Sequence, residues 1–282
     1  MTALLLALLL SSLPPPVEQS FGSLTLLEGS LKVIRGTTVY QGAEGMQLKP
    51  GDILETSDAA FAQLEFPTGI VALGPQTRMY ILPAGGTSAG QPVSLDLIVL
   101  NGWLKSETAP AKSLSRFRTP LLAVSNAGGS VVVRSSAIAA DVFLESGSTF
   151  SLSEVSPNGE AGSSSSAKAG QFFSRQKSAS VITAARPSST FLEALPKQFR
   201  DTLPPRQQRP PEKLLVAKSL HAVSYEDVEQ WLKMPSSWRR GLAQRFAPRL
   251  ADSSFRKQIE AHVNEFPEWD PILHPKKSSE SP

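Results

Sequence analysis

The residues able to carry chemistry are few. Histidine occurs three times, at His221, His262 and His274, and cysteine not at all. Without thiols there is no disulfide framework, no cysteine-ligated zinc or iron–sulfur site and no cysteine nucleophile. The histidines stand in different local contexts, and no pair has the i, i+4 spacing that sets two imidazoles on one helix face around a metal. Two S-x-x-K strings begin at Ser165 and Ser174. On a helix that spacing can hold a serine nucleophile beside a lysine, but these lie in or beside a Ser/Gly-rich stretch. Asp52, Glu55 and Asp58 gather around a turn, a set that could suggest calcium. Asp52 after Gly51 is better explained as a turn residue whose carboxylate bonds nearby backbone amides. No phosphate-binding glycine loop, dinucleotide fingerprint or nucleophile elbow is present. Neither an enzyme nor a bound cofactor or metal is expected.

Charge offers a second kind of chemistry. The 282 residues carry a formal +3, but residues 1–174 hold ten Lys and Arg against thirteen Asp and Glu, and the remainder eighteen against twelve. Such asymmetry points to two physically different parts. The excess concentrates between residues 175 and 250 and includes Arg239, Arg240, Arg245 and Arg249. Together these four form a candidate surface for an anion or a partner, since a basic patch attracts acidic polymers, anionic lipid or nucleic acid. The alternative is a solvated face in which Arg240 pairs with Glu229 or Asp227. Trp231, Trp238 and Trp269 with Phe246, Phe255 and Phe266 are most simply the core of a small helical unit.

The elements that must position these residues change character along the chain. Residues 3–13 are apolar apart from Ser11 and Ser12 and match the 7–15-residue core of a secretory signal, too short for a membrane helix. A leader over residues 1–20 and a periplasmic or secreted protein are expected, with no membrane span in the mature chain. Without a following cysteine, a lipid anchor is excluded. From residue 21 to about 175 come short β-runs divided by turn residues. Pro67-Thr68-Gly69 separates two of them, and Asn101-Gly102 is the strongest short hairpin signal. Residues 162–170 read as an exposed loop. Residues 176–212 read as a linker: a helix over 190–203, interrupted at Pro196, then a Pro-rich basic segment. Three helices are predicted in a small domain over 213–275. They cover 225–234 capped by Ser224, 238–246 capped by Ser236 or Ser237, and 254–263. A domain this small is marginal alone and is expected to dock or dimerise. Residues 276–282 read as a disordered tail.

Several β-region motifs fall in a recognisable order. They are Gly29 to Gly36 (GSLKVIRG), Leu48 to Thr56 (LKPGDILET, an L-x-x-G-D-x-L-x-T pattern), Ala62 to Phe66 with Gly69, Leu73 to Thr77, Val99 to Gly102, and Arg118-Thr119-Pro120. Together they resemble the FecR-type domain of the bacterial envelope. The resemblance spans roughly half the chain, from about Ser23 to Leu152. It implies a twisted β-roll or sandwich of short hairpins in which Gly51, Asp52, Thr56 and Gly69 build turns. It also implies a non-enzymatic module that binds a partner. Pro67-Thr68 departs from the family, which usually carries Asp or Asn before this glycine. The best-known members place an anti-sigma segment and a membrane helix before the domain; neither stands here, so sigma regulation is not expected.

The expectation is therefore a mainly β N-terminal domain followed by a small all-α C-terminal domain. Its outer β face would be left free to dock an envelope protein in interaction, signalling or scaffolding. The alternative is a module whose basic linker and helical domain bind an envelope polymer such as the cell wall, or another anion. Nucleic acid is not the expected partner.

Overall fold

A computed structural model describes residues 21–83, 87–88, 91–109, 114–147, 149–206 and 217–275. The expected leader, most of the Pro-rich basic segment and the expected tail lie outside these residues. No helix among them is long and apolar enough to cross a membrane.

Two mainly antiparallel sheets stack face to face. The first runs in spatial order Gln47–Leu48, Gly22–Glu28, Phe61–Phe66, Gly69–Leu73, the second half of Gln91–Thr108, Gly129–Ser135, Ala139–Gly147, Phe172–Gln176 and Ile182–Ala184. The second runs Ser219–Ala222, Thr38–Gln41, Leu31–Arg35, Ile53–Thr56, Arg78–Ile81, the first half of Gln91–Thr108, Leu114–Arg118, Leu122–Asn126, Phe150–Glu154 and Ser165–Ala167. The pairing of Gln91–Thr108 with Leu114–Arg118 is parallel. Leu24, Val33, Leu54, Leu64, Leu97, Leu104, Val131 and Val133 fill the space between the sheets, all at most 0% exposed. This is the mainly β part of the expected fold.

The Pro67-Thr68 turn joins Phe61–Phe66 to Gly69–Leu73 as a hairpin, as expected. Asn101-Gly102 does not make one. The chain runs through it as a single strand, Gln91–Thr108, whose first half pairs in one sheet and second half in the other. Gly102 takes φ +93°, and a Cβ there would stand 2.4 Å from the Thr77 Cα, so the dipeptide makes a sheet-switching corner with a register shift. Residues 165–167, expected within an exposed loop, form an edge strand that buries Ala167.

Both outer faces are largely covered, where a free docking face is expected above. After the last strand of the first sheet comes a strap, residues 188–206, comprising helix α1 (Ser189–Ala194, capped by Ser188) and a 3₁₀ turn, Lys197–Phe199. The expected interruption falls at Pro196, between α1 and the 3₁₀ turn. Phe191, Phe199 and Leu203 of the strap pack on Phe61, Ala72, Trp103, Val132 and Phe172 of the first sheet. Lys105, 2% exposed, donates to the Phe199 and Asp201 carbonyls at 2.9 and 3.0 Å and pairs with Glu145 at 2.8 Å.

The second sheet is covered by α2 (Tyr225–Leu232), α3 (Ser236–Phe246), α4 (Ser253–Ala261) and α5 (Asp270–Leu273). Ser224 and Asp227 form a capping box at the start of α2. At α3 the expected serine cap is replaced by Pro235, with Ser236 and Ser237 inside the first turn. Asp252 caps α4. Pro267 and Pro271 lie in the first turns of a 3₁₀ turn and of α5, where a missing N–H costs nothing. The expected aromatic core is present: Trp231, Trp269, Phe246, Phe255 and Phe266 are at most 1% exposed. It is continuous with Ile34, Val39, Ile53, Tyr80 and Ile98 from the second sheet. The small all-α part therefore docks.

Candidate functional site

The LKPGD turn is built from within. Gly51 has φ +92°, with open space where a Cβ would lie, so backbone conformation and not crowding requires glycine. Asp52, 1% exposed, accepts from the Lys49 amide at 2.8 Å and receives a two-pronged bond from Arg35 at 2.8 and 2.6 Å. That bond holds the Arg35 guanidinium above its ordinary pKa, against the opposing effect of burial. The Thr56 hydroxyl donates to the Gly74 carbonyl at 2.7 Å and accepts from the Thr77 amide at 2.8 Å. At Gly69 a Cβ would stand 2.2 Å from the Glu107 carbonyl. All four motif residues hold the sandwich together.

The acidic cluster does not converge on a cation. Glu55 accepts from the Trp231 indole at 2.8 Å and pairs with Lys32 at 2.9 Å, while Asp58 accepts from Gln76. Among the described residues no group of His, Cys, Asp or Glu is placed to hold a metal ion. The histidines are spread apart. His262 stacks on Tyr225, His221 lies 3.6 Å from Asp227, and His274 lies 3.2 Å from Asp270. The two S-x-x-K strings run along strands and their ends, not along a helix.

The four arginines do not share one exposed surface. Arg245 donates to the Gly36, Gly51 and Ile34 carbonyls at 3.0, 2.6 and 2.9 Å, pinning α3 to the LKPGD turn. Arg249 donates to Val223 at 2.6 Å and pairs with Asp252 at 2.8 Å. Arg239 donates to the Leu232 and Glu265 carbonyls, pairs with Glu268 at 2.6 Å and lies over the Phe266 ring. Only Arg240 of the four is exposed, and Asp227, one of its suggested partners, is taken by Lys32. Arginine's rigid fork matches backbone carbonyls at helix ends as well as it matches anions. Charge count alone cannot separate these uses.

A different feature gathers exposed chemistry. Where the ends of the sheets meet α2 and α3, a cleft of about 800 Å³ opens. Leu121, Val155, Met234 and Pro235 give it an apolar lining, and Arg175, Lys177 and Lys233 give it cations. Arg175 is fixed by the Leu121 and Val155 carbonyls at 2.7 and 3.0 Å and by Glu154 at 3.1 Å. Lys233 pairs with Glu229 at 2.6 Å, a bond that raises its pKa. The exposed Lys177 side chain makes no hydrogen bond or ion pair among the described residues. Sequence reasoning missed this cleft because its lining comes from six separate stretches of chain.

Fold and site together define a two-sheet antiparallel sandwich, strapped on one face and helix-covered on the other, with an open basic cleft at one seam. A crystal structure from Parabacteroides distasonis ATCC 8503, provisionally described as an anti-sigma factor, is similar to it at 14% identity. The likeness covers 48% of this chain and 59% of that one with a TM-score of 0.38. A second crystal structure of the same description and source is similar at 14% identity, covering 50% and 64% with a TM-score of 0.39. The chain thus spans less than two thirds of either. No protein-family model and no curated protein matches it.

Proposed function

We propose that this chain is a non-catalytic, FecR-type interaction module of the cell envelope that grips its partner in the seam cleft. The observation that carries the reading is the cleft itself, with its apolar floor and a cationic rim that includes the uncommitted Lys177. Such a combination suits a protein surface with an apolar anchor ringed by acidic side chains. The ordered FecR-like motifs and the apolar residues 3–13 support an envelope location and a role in signalling or scaffolding. Affinity capture from envelope extracts, using the native chain and the Lys177→Glu/Lys233→Glu variant, tests the reading. A defined partner retained by the first and lost by the second, at unchanged melting temperature, is expected. Equal retention would refute it.

The same cations favour a second reading, an anionic envelope polymer lying in the cleft. Counterion release would make such binding fall steeply with salt. A protein partner keeps the share of binding carried by its apolar anchor at high salt, whereas a polymer held by charge alone is released, so a salt titration separates the two.

A further inference from the structure

On the outer face of the first sheet, the strap stops one row short. Val132, Phe143, Phe172 and Ala184 pair across neighbouring strands and are covered by the strap. Two residues further along, Trp103, Arg134, Asp141, Ser174 and Ile182 form a parallel row on the same face. Trp103 at one end of this row is still covered by Phe191 of the strap, but over Arg134, Asp141 and Ser174 lies a cleft of about 400 Å³, within the size range of small-ligand sites.

Its charges are unusual. Arg134 and Asp141 are directly opposite one another, a position from which ions of opposite sign normally pair. They do not. The Arg134 guanidinium lies over the Trp103 ring at 5.1 Å. Neither side chain makes a hydrogen bond or ion pair among the described residues, although both are half-buried. The carboxylate therefore keeps its acceptors, and the guanidinium its donors, free of protein hydrogen bonds. A ligand that offers an acceptor to Arg134 and a donor to Asp141 on adjacent atoms can use both.

We propose that this cleft binds a neutral saccharide unit. The site's own charges cancel, so it selects for neither anion nor cation. Vicinal hydroxyls supply donor and acceptor side by side, matching the planar forks of a carboxylate and a guanidinium. Ser174, Gln176 and Thr190 add neutral hydrogen-bonding groups along the wall, and Ile138, 65% exposed, gives an apolar rim for the C–H face of a sugar ring. This inference does not rest on the seam cleft, which lies around the turn at residues 136–138. Partner capture there and sugar binding here have separate readouts.

The test is calorimetric titration of the full chain with maltotriose, with triacetylchitotriose and with the zwitterionic dipeptide dialanine, alongside tryptophan fluorescence. Binding of at least one sugar is expected, with a fluorescence change as Arg134 shifts from the Trp103 ring. Asp141→Asn and Arg134→Gln should each weaken it roughly tenfold or more, the share of one hydrogen bond to a charged group. Their melting temperatures should stay unchanged. The fluorescence change, but not the sugar affinity, should vanish in Trp103→Phe. No sugar binding at millimolar concentrations, affinity indifferent to both variants, or binding of dialanine alone would overturn the proposal.

Discussion

Single residues decide how the layers are held, and the most telling is Arg35. Its partner Asp52 is buried, so removing the guanidinium leaves a carboxylate with one backbone amide for company. Breaking a buried pair costs far more than the pair contributes, and Arg35→Ala is expected to lower stability by about 3 kcal/mol in urea unfolding. A loss under half of that would show the turn to be held by Gly51 and Lys49 alone. Asp252 offers a pH signature. Hydrogen bonds from the Ser254 hydroxyl, then from the Phe255 and Ser254 amides, lower its pKa from an ordinary 3.8 to about 2. A depressed folded pKa means its stabilising effect is complete above pH 4 and fades as pH falls toward 2. The stability gap between the native chain and Asp252→Ala should therefore be constant from pH 5 to 7 and shrink below pH 4. Asp227 adds in the same direction: burial raises its pKa, but the Ser224 amide and Lys32 outweigh burial and lower it. A gap that instead grew on acidification would contradict the capping geometry.

At the scale of elements, the strap is held by its apolar side chains and by one buried cation. Lys105 ties together the Phe199 and Asp201 carbonyls and the Glu145 carboxylate from inside the first sheet's outer face. Lys105→Met should release the strap before the sandwich, weakening its attachment by about 2 kcal/mol, so that proteolytic cleavage within 197–206 accelerates while the sandwich stays folded. Unchanged cleavage would place the attachment in the Phe191, Phe199 and Leu203 packing and in the bonds of Leu203 to Glu107 and of Gln63 to Pro204. The strands themselves were legible. Hydrophobic runs and turn residues located most of them, and Ser224 marked the start of α2. Two expectations fail, the hairpin at Asn101-Gly102 and the free outer face. Asn-Gly has the backbone freedom for a tight hairpin, but the same freedom serves a strand that changes sheets, and only tertiary pairing decides. Val33-Ile34, Ile53-Leu54, Ile98-Val99 and Val131-Val132-Val133 do not alternate with polar residues. Each puts one side chain between the sheets or toward the first and another toward a covering layer. That pattern is the mark of strands buried on both sides, and it was visible in the sequence without any knowledge of what covers them.

For the whole molecule, the covering layers change what the halves mean. Charge asymmetry marks two stretches of different character, but the more basic one also supplies the strands Ile182–Ala184 and Ser219–Ala222, and Arg175 and Arg245 bind it to the first. Arg245, Trp231 and Trp238 all donate to groups outside the helices: the Gly51 carbonyl, Glu55 and the Gly159 carbonyl. The cleft, by contrast, was illegible, because convergence of Leu121, Arg175 and Lys233 exists only after packing. Since the helical core is continuous with the second sheet, calorimetry should show one unfolding transition, and residues 217–275 alone should lack a cooperative one. Two separated transitions would show the helices to be an independent domain.

The seam is probed most directly by photo-crosslinking in cells from a reactive group at position 177, with position 257 on exposed α4 as the reference. A discrete adduct from position 177, absent from position 257 and abolished by Lys233→Glu, is the expected result. No adduct from position 177, or the same adduct from both positions, would contradict a partner held in this cleft.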